Sequence, residues 1–282
     1  MGHAAPWEEP SVKIGINRWT LPPALTLSES FRLAMRAGFD SIEINIAEDG
    51  ELTLDSDEPS VRALVADAKD AGIELSSLST GLGWKYPLGS MDPAIREKAR
   101  AVVRKSLQVA SWMDVDTILV VPGVVTPDAA YDQVYNHALE GVRSVAPDAE
   151  RLGVTIGIEN VWNKFLLSPL EFARFIDEAG SEAVGAYFDA GNILQYGYPD
   201  QWIRILGSRI KKVHVKDFKA NIGNGTGFCN PLQGDVPWEK VRAALAEIGY
   251  DEYVTGEVAG YKVHPEIGLK HIAESLRAVF AG

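Results

Sequence analysis

Four side chains suited to binding a divalent metal or transferring a proton stand at the ends of short apolar runs in the second half of the chain. They are Glu159, Asp189, His214 and Glu257, separated by 30, 25 and 43 residues. If the fold brings them together, three carboxylates and an imidazole repel one another without a counter-charge, so we expect a divalent cation. These oxygen and nitrogen donors suit manganese, magnesium, cobalt or zinc without selecting among them.

Such a convergence requires a fold that places successive strand ends at one point. Short apolar or β-branched runs alternate with longer stretches of helical spacing, which is typical of parallel βαβ units. The predicted strands are Val12–Asn17, Ser41–Asn45, Glu74–Ser79, Thr117–Val121, Thr155–Glu159, Ala183–Asp189, Ile210–Lys216 and Glu252–Val258. The predicted helices are Ser28–Ala37, Pro59–Ala71, Pro93–Met113, Ala130–Arg151, Pro169–Ala179, Pro199–Leu206, Trp238–Ile248 and Pro265–Phe280.

Eight strands and eight helices in alternation predict a single-domain α/β protein, a (β/α)8 TIM barrel over residues 12–282 after an N-terminal tail of residues 1–11. An open doubly wound sheet is the alternative, but the stretch from Gly15 to Trp19 lacks the Gly-x-Gly-x-x-Gly turn. Barrel chemistry lies at the C-terminal strand ends, so the four side chains should meet at the barrel mouth. The long linker Ala220–Asp235 is predicted to be an active-site loop.

Composition narrows the classes of partner. The formal net charge of −12 disfavours nucleic acid, and the basic residues between positions 204 and 219 are explained by a solvated face and a helix end. The single cysteine, Cys229, excludes an internal disulfide and a cysteine-based zinc site. No stretch resembles a signal peptide or the roughly 20 apolar residues of a membrane span. We expect a cytoplasmic protein that binds a small molecule, and a homo-oligomer stays open.

The strand ends lie within longer motifs, namely Glu159-Asn160, Asp189-Ala190-Gly191-Asn192, His214-Val215-Lys216-Asp217, Leu232-Gln233-Gly234-Asp235-Val236 and Gly256-Glu257-Val258. These motifs resemble those of the xylose isomerase-like barrels, and among them those of ketose 3-epimerases and sugar-phosphate 3-epimerases. Gly38-Phe39-Asp40 before Ile42-Glu43, and Pro87-Leu88-Gly89-Ser90, extend the resemblance over nearly the whole barrel.

The resemblance implies that Glu159, Asp189, His214 and Glu257 bind one metal ion, such as manganese, and that both glutamates also transfer the proton. It implies an isomerase of carbohydrate metabolism, a metal-dependent epimerase or isomerase of a ketose or ketose phosphate that works through an enediolate. Asn192 stands where free-ketose epimerases have a histidine. An asparagine at this position is nearer the pattern of the phosphorylated-pentulose enzymes.

Three residues near predicted strand ends are candidate substrate contacts, each with a structural alternative. Trp19 and Trp162 can stack on a sugar face, or they can pack within loops. Glu43 can accept a hydrogen bond from a sugar hydroxyl, or it can be the buried partner of a neighbouring Arg or Lys.

Three further residues are placed at the substrate. Asn192 closes the motif Asp189-Ala190-Gly191-Asn192, and the resemblance implies that it contacts one end of the substrate. Lys85 can bind an anionic end of the substrate, or it can be a solvated surface lysine. Lys216 returns to the same face of its strand as His214, so it reaches the substrate or pairs with a ligand carboxylate.

Two other activities are compatible with the same barrel. A lyase of the keto-inositol dehydratase type would use the same base to expel a hydroxyl group. A DNA-repair endonuclease is the other alternative, although the single strand-end histidine and the negative charge disfavour it.

Overall fold

The computed structural model describes residues 12–280. Within them eight strands close into one barrel, and every neighbouring pair of strands runs parallel. In chain order the strands are β1 (Lys13–Asn17), β2 (Ser41–Asn45), β3 (Glu74–Ser79), β4 (Thr117–Val120), β5 (Thr155–Glu159), β6 (Val184–Asp189), β7 (Ile210–Val215) and β8 (Tyr253–Gly256).

In the described part of the chain, one helix of eight residues or more follows each strand and packs outside the barrel. These helices are α1 (Leu27–Ala37), α2 (Glu58–Asp70), α3 (Pro93–Met113), α4 (Tyr131–Leu152), α5 (Pro169–Ala179), α6 (Pro199–Leu206), α7 (Trp238–Glu247) and α8 (Pro265–Phe280). Two single-turn helices, Leu82–Lys85 and Ala190–Ile193, lie in the loops after β3 and β6.

Local signals in the sequence explain where the helices begin and end. Thr26 and Glu29 form a reciprocal capping box at the start of α1. Asp92 and Ser168 accept hydrogen bonds from the first turns of α3 and α5, each of which begins with proline. Gly38 follows α1 at φ 99°, a conformation in which a side chain would be strained.

Apolar packing between strands and helices holds the barrel together, while part of its interior is polar. Phe31, Phe172 and Ile272 are buried on the inner faces of their helices, and each such side chain contributes about 1.5–3 kcal/mol when removed from water. Inside the barrel, Glu43 and His214 are fully buried as well. Because buried charges require partners, Glu43 and His214 must each be paired with other polar groups inside the barrel.

The predicted TIM barrel is confirmed, and every helix boundary lies within one residue of its predicted position. Four strands have an end that differs by one residue from the prediction, and the largest difference is in β8, which was predicted as Glu252–Val258. This strand ends earlier because Val258 N–H donates to Thr20 Oγ1 (3.3 Å) in the loop after β1 instead of to a neighbouring strand.

The linker Ala220–Asp235 adds a small element at the barrel mouth. Asp217–Phe218 and Phe228–Cys229 pair as a short antiparallel ribbon, and Phe228 lines the cavity over the strand ends. Within residues 12–280, none of the helices combines the length and apolar character that crossing a membrane demands. The predicted tail, residues 1–11, and the last two residues lie outside the described part of the chain.

Candidate metal centre

The four predicted ligand residues meet at the C-terminal end of the barrel. One donor atom from each of Glu159, Asp189, His214 and Glu257 lies within 4.8 Å of the others. Asp189 and His214 stand opposite each other in the register of β6 and β7, and Glu257 follows β8 directly. Donors bound at about 2.0–2.2 Å from one ion lie within about 4.4 Å of one another, so these donors need to approach by only a few tenths of an ångström to hold a single cation.

The donor atoms of this centre face the same point. His214 Nδ1 lies 3.3 Å from Glu159 Oε1 and 3.6 Å from Glu257 Oε2. Asn160, the residue after Glu159, holds the backbone of Asp189 through both ends of its amide: Nδ2 donates to the Asp189 carbonyl (2.8 Å), and Oδ1 accepts from the Asp189 N–H (2.9 Å). The Glu-Asn sequence therefore supplies a ligand and a brace for the next ligand.

Lys216 contributes the positive charge that balances this cluster. Its ammonium lies 2.6 Å from Asp189 Oδ2 and 2.6 Å from Glu257 Oε2. Burial alone would lower the pKa of Lys216, but the surrounding carboxylates outweigh burial and raise it above its ordinary value. Lys216 is therefore a cation that balances part of the negative charge of the centre.

The two glutamates have different proton affinities. Burial raises the pKa of Glu159 to about 7, and the nearby Glu257 carboxylate adds to this increase. Burial also opposes ionisation of Glu257, but Lys216 and His214 outweigh it and lower the pKa of Glu257 below its ordinary value. Two neighbouring carboxyl groups with separated pKa values can divide the roles of proton acceptor and proton donor.

His214 is held from below by Glu43. His214 Nε2 lies 3.1 Å from Glu43 Oε1 and 3.2 Å from Glu43 Oε2, and both residues are fully buried. Although burial opposes ionisation of Glu43, the charge and hydrogen bond of His214 and the hydroxyl of Tyr187 lower the pKa of Glu43 to about 2. Glu43 is thus a buried anion beneath the centre.

A cavity of about 530 Å³ opens onto the centre. It is within the range of about 300–1,000 Å³ that is typical of small-molecule sites. The polar groups of the centre that reach it are Glu159, Asn192, Lys216 and Glu257. Its wall contains four aromatic side chains together with aliphatic ones: Trp19, Trp84, Trp162, Phe228, Leu119, Val121, Val161 and Val258.

Four of the six predicted substrate contacts line this cavity. Trp19 is half exposed above it. Trp162 is fixed by a hydrogen bond from Nε1 to the Asn192 carbonyl (2.8 Å) and by ring contact with Phe228. Asn192 donates from Nδ2 to the Asn160 carbonyl (2.9 Å), and Lys216 forms the ion pairs described above.

The other two predicted substrate contacts, Glu43 and Lys85, lie outside the cavity wall. Glu43 is absent from the cavity wall, because its carboxylate is enclosed beneath His214 and is used by neighbouring donors. Lys85 is also absent from the wall, because its ammonium pairs with Glu48 on the surface, where the lysine side chain is 58% exposed. The alternatives stated from the sequence, a buried partner for Glu43 and a surface position for Lys85, describe them better, although the partner of Glu43 is a histidine.

Sequence reasoning missed the residues that surround Glu43. Tyr187 donates its hydroxyl to Glu43 Oε2, and Ser77 Oγ donates to the same oxygen (2.7 Å). Asn17 Nδ2 donates to Glu43 Oε1. Tyr187 lies two residues before Asp189 on β6 and so points to the same side of the strand, which is the signal that could have identified it.

The closed parallel barrel and the cluster of three carboxylates and a histidine at its C-terminal face define the chain as a TIM barrel with a candidate metal site. The family model of the xylose isomerase-like TIM barrel matches residues 31–279. The chain therefore belongs to the xylose isomerase-like TIM barrel family.

Relatives within this family include epimerases of ketoses. The chain is 27% identical over 245 residues to L-ribulose-5-phosphate 3-epimerase UlaE of Salmonella paratyphi A, covering 85% of this chain and 84% of that protein. Among solved structures it is similar to D-psicose 3-epimerase in the presence of D-fructose, with a TM-score of 0.81, 21% identity and coverage of 96% and 100%. L-ribulose 3-epimerase gives a TM-score of 0.79, 18% identity and coverage of 96% and 95%. The two structural likenesses support the fold.

Proposed function

We propose that this protein is a metal-dependent epimerase of a ketose that inverts the carbon next to the carbonyl. The observation that carries the proposal is the pair Glu159 and Glu257, which share one buried centre with Asp189 and His214 beside a sugar-sized cavity. A relative that epimerises L-ribulose 5-phosphate supports the same reaction class.

The chain's own residues fit a proton transfer across a substrate plane. A divalent ion held by Glu159, Asp189, His214 and Glu257 would stabilise the negative charge that develops on two adjacent sugar oxygens. One glutamate removes the proton from one face, and the other returns a proton to the opposite face. The pKa of about 7 at Glu159 matches a group that exchanges protons near neutral pH. Manganese, magnesium, cobalt and zinc all suit this donor set.

Although Asn192 is nearer the phosphorylated-pentulose pattern and one relative acts on L-ribulose 5-phosphate, we propose further that the substrate is an unphosphorylated sugar. Among the residues that line the cavity the one cation is Lys216, which two carboxylates already neutralise. Lys85, predicted as an anion-binding residue, pairs with Glu48 instead. Aromatic walls such as Trp19 and Trp162 suit the apolar faces of a neutral sugar.

The single cysteine and the net charge of −12 support a cytoplasmic protein without a nucleic-acid partner.

The reaction is tested by following exchange of the proton at carbon 3 of a ketose in deuterated water by NMR. We expect chelator treatment to abolish exchange and manganese or cobalt to restore it. Glu159→Gln and Glu257→Gln should each lower the rate by about 10²–10⁴-fold, which is the usual contribution of a positioned acid or base. Glu48→Gln, in the surface pair with Lys85 and outside the cavity wall, is the matched control and should keep its rate.

An undiminished rate after chelation, or full activity of both glutamine variants, would refute the proposed reaction. Loss of water from the sugar would identify the lyase alternative. The substrate proposal is tested separately by comparing kcat/KM for L-ribulose and L-ribulose 5-phosphate. Higher efficiency with the phosphate would contradict the assignment of a neutral substrate while leaving the reaction class intact.

A further inference from the structure

The two nitrogens of His214 face different environments. Nδ1 faces the donor atoms of the metal centre, at 3.3 Å from Glu159 Oε1 and 3.6 Å from Glu257 Oε2. Nε2 faces away from the cavity, at 3.1 Å and 3.2 Å from the two oxygens of Glu43. Because a metal replaces the proton on one ring nitrogen, the partner of the other nitrogen selects which one is free to bind.

Glu43 is built into the barrel in a way that keeps its carboxylate in place. Asn17 and Tyr187 donate to it, and so does Ser77, whose Oγ lies 2.7 Å from Oε2. Ser77 Oγ also lies 2.9 Å from the Tyr187 hydroxyl, so the donors support one another. These residues come from β1, β2, β3 and β6, and all are fully buried.

A buried carboxylate requires hydrogen-bond donors and a counter-charge. Asn17, Ser77 and Tyr187 supply neutral donors to Glu43, and His214 supplies the charge. Among the described residues, no lysine or arginine forms a salt bridge with Glu43, and its one ionic partner is His214. The carboxylate therefore fits a hydrogen-bond acceptor for the ring, and its neighbours prevent it from turning toward the cavity.

We propose that Glu43 is a positioning residue that holds His214 with Nε2 protonated and Nδ1 directed at the metal. The two residues and the ion then form a carboxylate–histidine–metal arrangement, in which the carboxylate orients the ring and strengthens its nitrogen donor. This inference rests on the metal centre of the proposed function. Glu43 would thus belong to the metal centre without contacting substrate, although it lies 171 positions away in sequence from the histidine that it orients.

The assignment is tested first on the unchanged protein, by nitrogen-15 NMR of the histidine rings during titration with Zn²⁺. We expect the signals of one imidazole to move, with Nδ1 bound to the metal and Nε2 carrying a proton. Binding through Nε2 would overturn the positioning role and leave the proposed function standing. If no ring signal moves and Zn²⁺ does not bind, the metal centre and the positioning role both fail.

Variants then separate positioning from simple structural support. Glu43→Gln keeps a hydrogen-bond acceptor but removes the charge, and we expect it to weaken Zn²⁺ binding by about 10–100-fold, which is typical for a lost outer partner of a ligand. Glu48→Gln makes the same change on the surface, where Glu48 pairs with Lys85, so it should bind Zn²⁺ as the unchanged protein does. A Glu43→Gln variant with unchanged Zn²⁺ affinity would contradict the proposal, whatever its melting temperature in the absence of metal.

Discussion

At the scale of single residues, the centre is defined by a balance of buried charges. Three carboxylates meet one ammonium and one imidazole, and of these five side chains all but that of Glu257 are buried. Each charge is tolerable only because of its neighbours, since an unpaired ion in a low-dielectric interior costs several kcal/mol. Changing one charged residue should therefore alter both the stability of the metal-free protein and its response to a metal ion.

Lys216→Met should make the protein more dependent on metal. Removing the ammonium leaves Asp189 and Glu257 without their shared partner, and breaking a buried pair costs about 3–5 kcal/mol. A divalent ion supplies the missing charge, so the rise in Tm on adding Mn²⁺ should be larger in the variant than in the unchanged protein. Scanning calorimetry with and without Mn²⁺ measures both quantities.

Lys85→Met serves as the control, because Lys85 pairs with Glu48 on the surface. Surface pairs contribute about 0–1 kcal/mol, so this variant should change neither Tm nor the response to Mn²⁺ appreciably. A Lys216→Met protein whose Tm falls but whose metal-induced rise is unchanged would show that Lys216 does not balance the metal charge.

Metal affinity should increase as the pH rises through about 7. The pKa of Glu159 is raised to about 7, chiefly by burial, so below that pH a proton occupies a ligand oxygen. Burial would lower the pKa of His214, but the carboxylates of Glu43 and Glu257 raise it well above its ordinary value, so the ring also binds a proton in the metal-free protein. Metal binding must displace the protons on Glu159 and His214, so it is favoured at higher pH, where fewer of these protons are bound.

The measurement is the Kd for Mn²⁺ from pH 5.5 to 8.5 at constant ionic strength, with proton release obtained by calorimetry in two buffers of different ionisation enthalpy. We expect a falling Kd across this range and net proton release. A Kd independent of pH, with no release of protons, would argue against these two groups as ligands.

At the scale of elements, the loop after β7 closes one side of the cavity and depends on Asp217. This buried carboxylate accepts hydrogen bonds at Oδ1 from the N–H groups of Phe218 (2.8 Å) and Val236 (3.0 Å), and at Oδ2 from Trp238 Nε1 (2.9 Å). It therefore ties the start of the loop to its end, and the segment between carries Phe228 into the cavity. The loop also packs closely against Asp217: a Cβ on Gly234 would lie 2.4 Å from Asp217 Oδ1, so a side chain has no room at that position.

Asp217→Asn should loosen this loop and weaken substrate binding. The amide that replaces one oxygen places a donor against the backbone N–H groups or against Trp238 Nε1, and a buried donor left without an acceptor costs about 1–3 kcal/mol. We expect a lower urea midpoint and a higher KM for the ketose. Asp177→Asn, on the surface beside Arg209, is the control and should lie within about 0.5 kcal/mol of the unchanged protein. An unchanged KM for Asp217→Asn would mean that the loop does not shape the substrate site.

At the scale of the whole molecule, the barrel divides stability and chemistry between its two ends. At the end opposite the metal centre, the buried Lys212 pairs with Asp116 (3.0 Å) and Glu252 (2.9 Å), which precede β4 and β8. Both carboxylates are about half exposed, so water can solvate them when the lysine is absent. In this fold the C-terminal face carries the chemistry, while the opposite face contributes to stability.

Lys212→Met should change stability without changing metal binding. The methionine fills the interior, and the two exposed carboxylates are rehydrated, so we expect a loss of about 0–2 kcal/mol instead of the larger cost of stranding a buried charge. Urea unfolding measures the loss, and the Mn²⁺ titration used for Lys216→Met provides the comparison. A changed Kd for Mn²⁺ would show that the two ends of the barrel are coupled.

Local sequence patterns determined the barrel and pointed to the four residues that meet in the candidate metal centre. Strands alternate with helices, and residues such as Asp92 and Gly38 mark helix ends through contacts within a few positions along the chain. Glu159 and Glu257 were recognisable because each closes an apolar strand in a fold whose strand ends converge. These signals are local or follow from the order of elements, so no coordinates were required to find them.

Only the tertiary structure decided what the remaining polar residues do. Glu43 was predicted at the substrate, but it lies beneath His214, whose position 171 residues away cannot be read from neighbouring sequence. Lys85 pairs with Glu48, and Lys216 lies between two ligand carboxylates, because their side chains meet across separate loops and strands. Which partner a buried charge finds depends on distances through the barrel, and those distances are set by closure and packing of the whole chain.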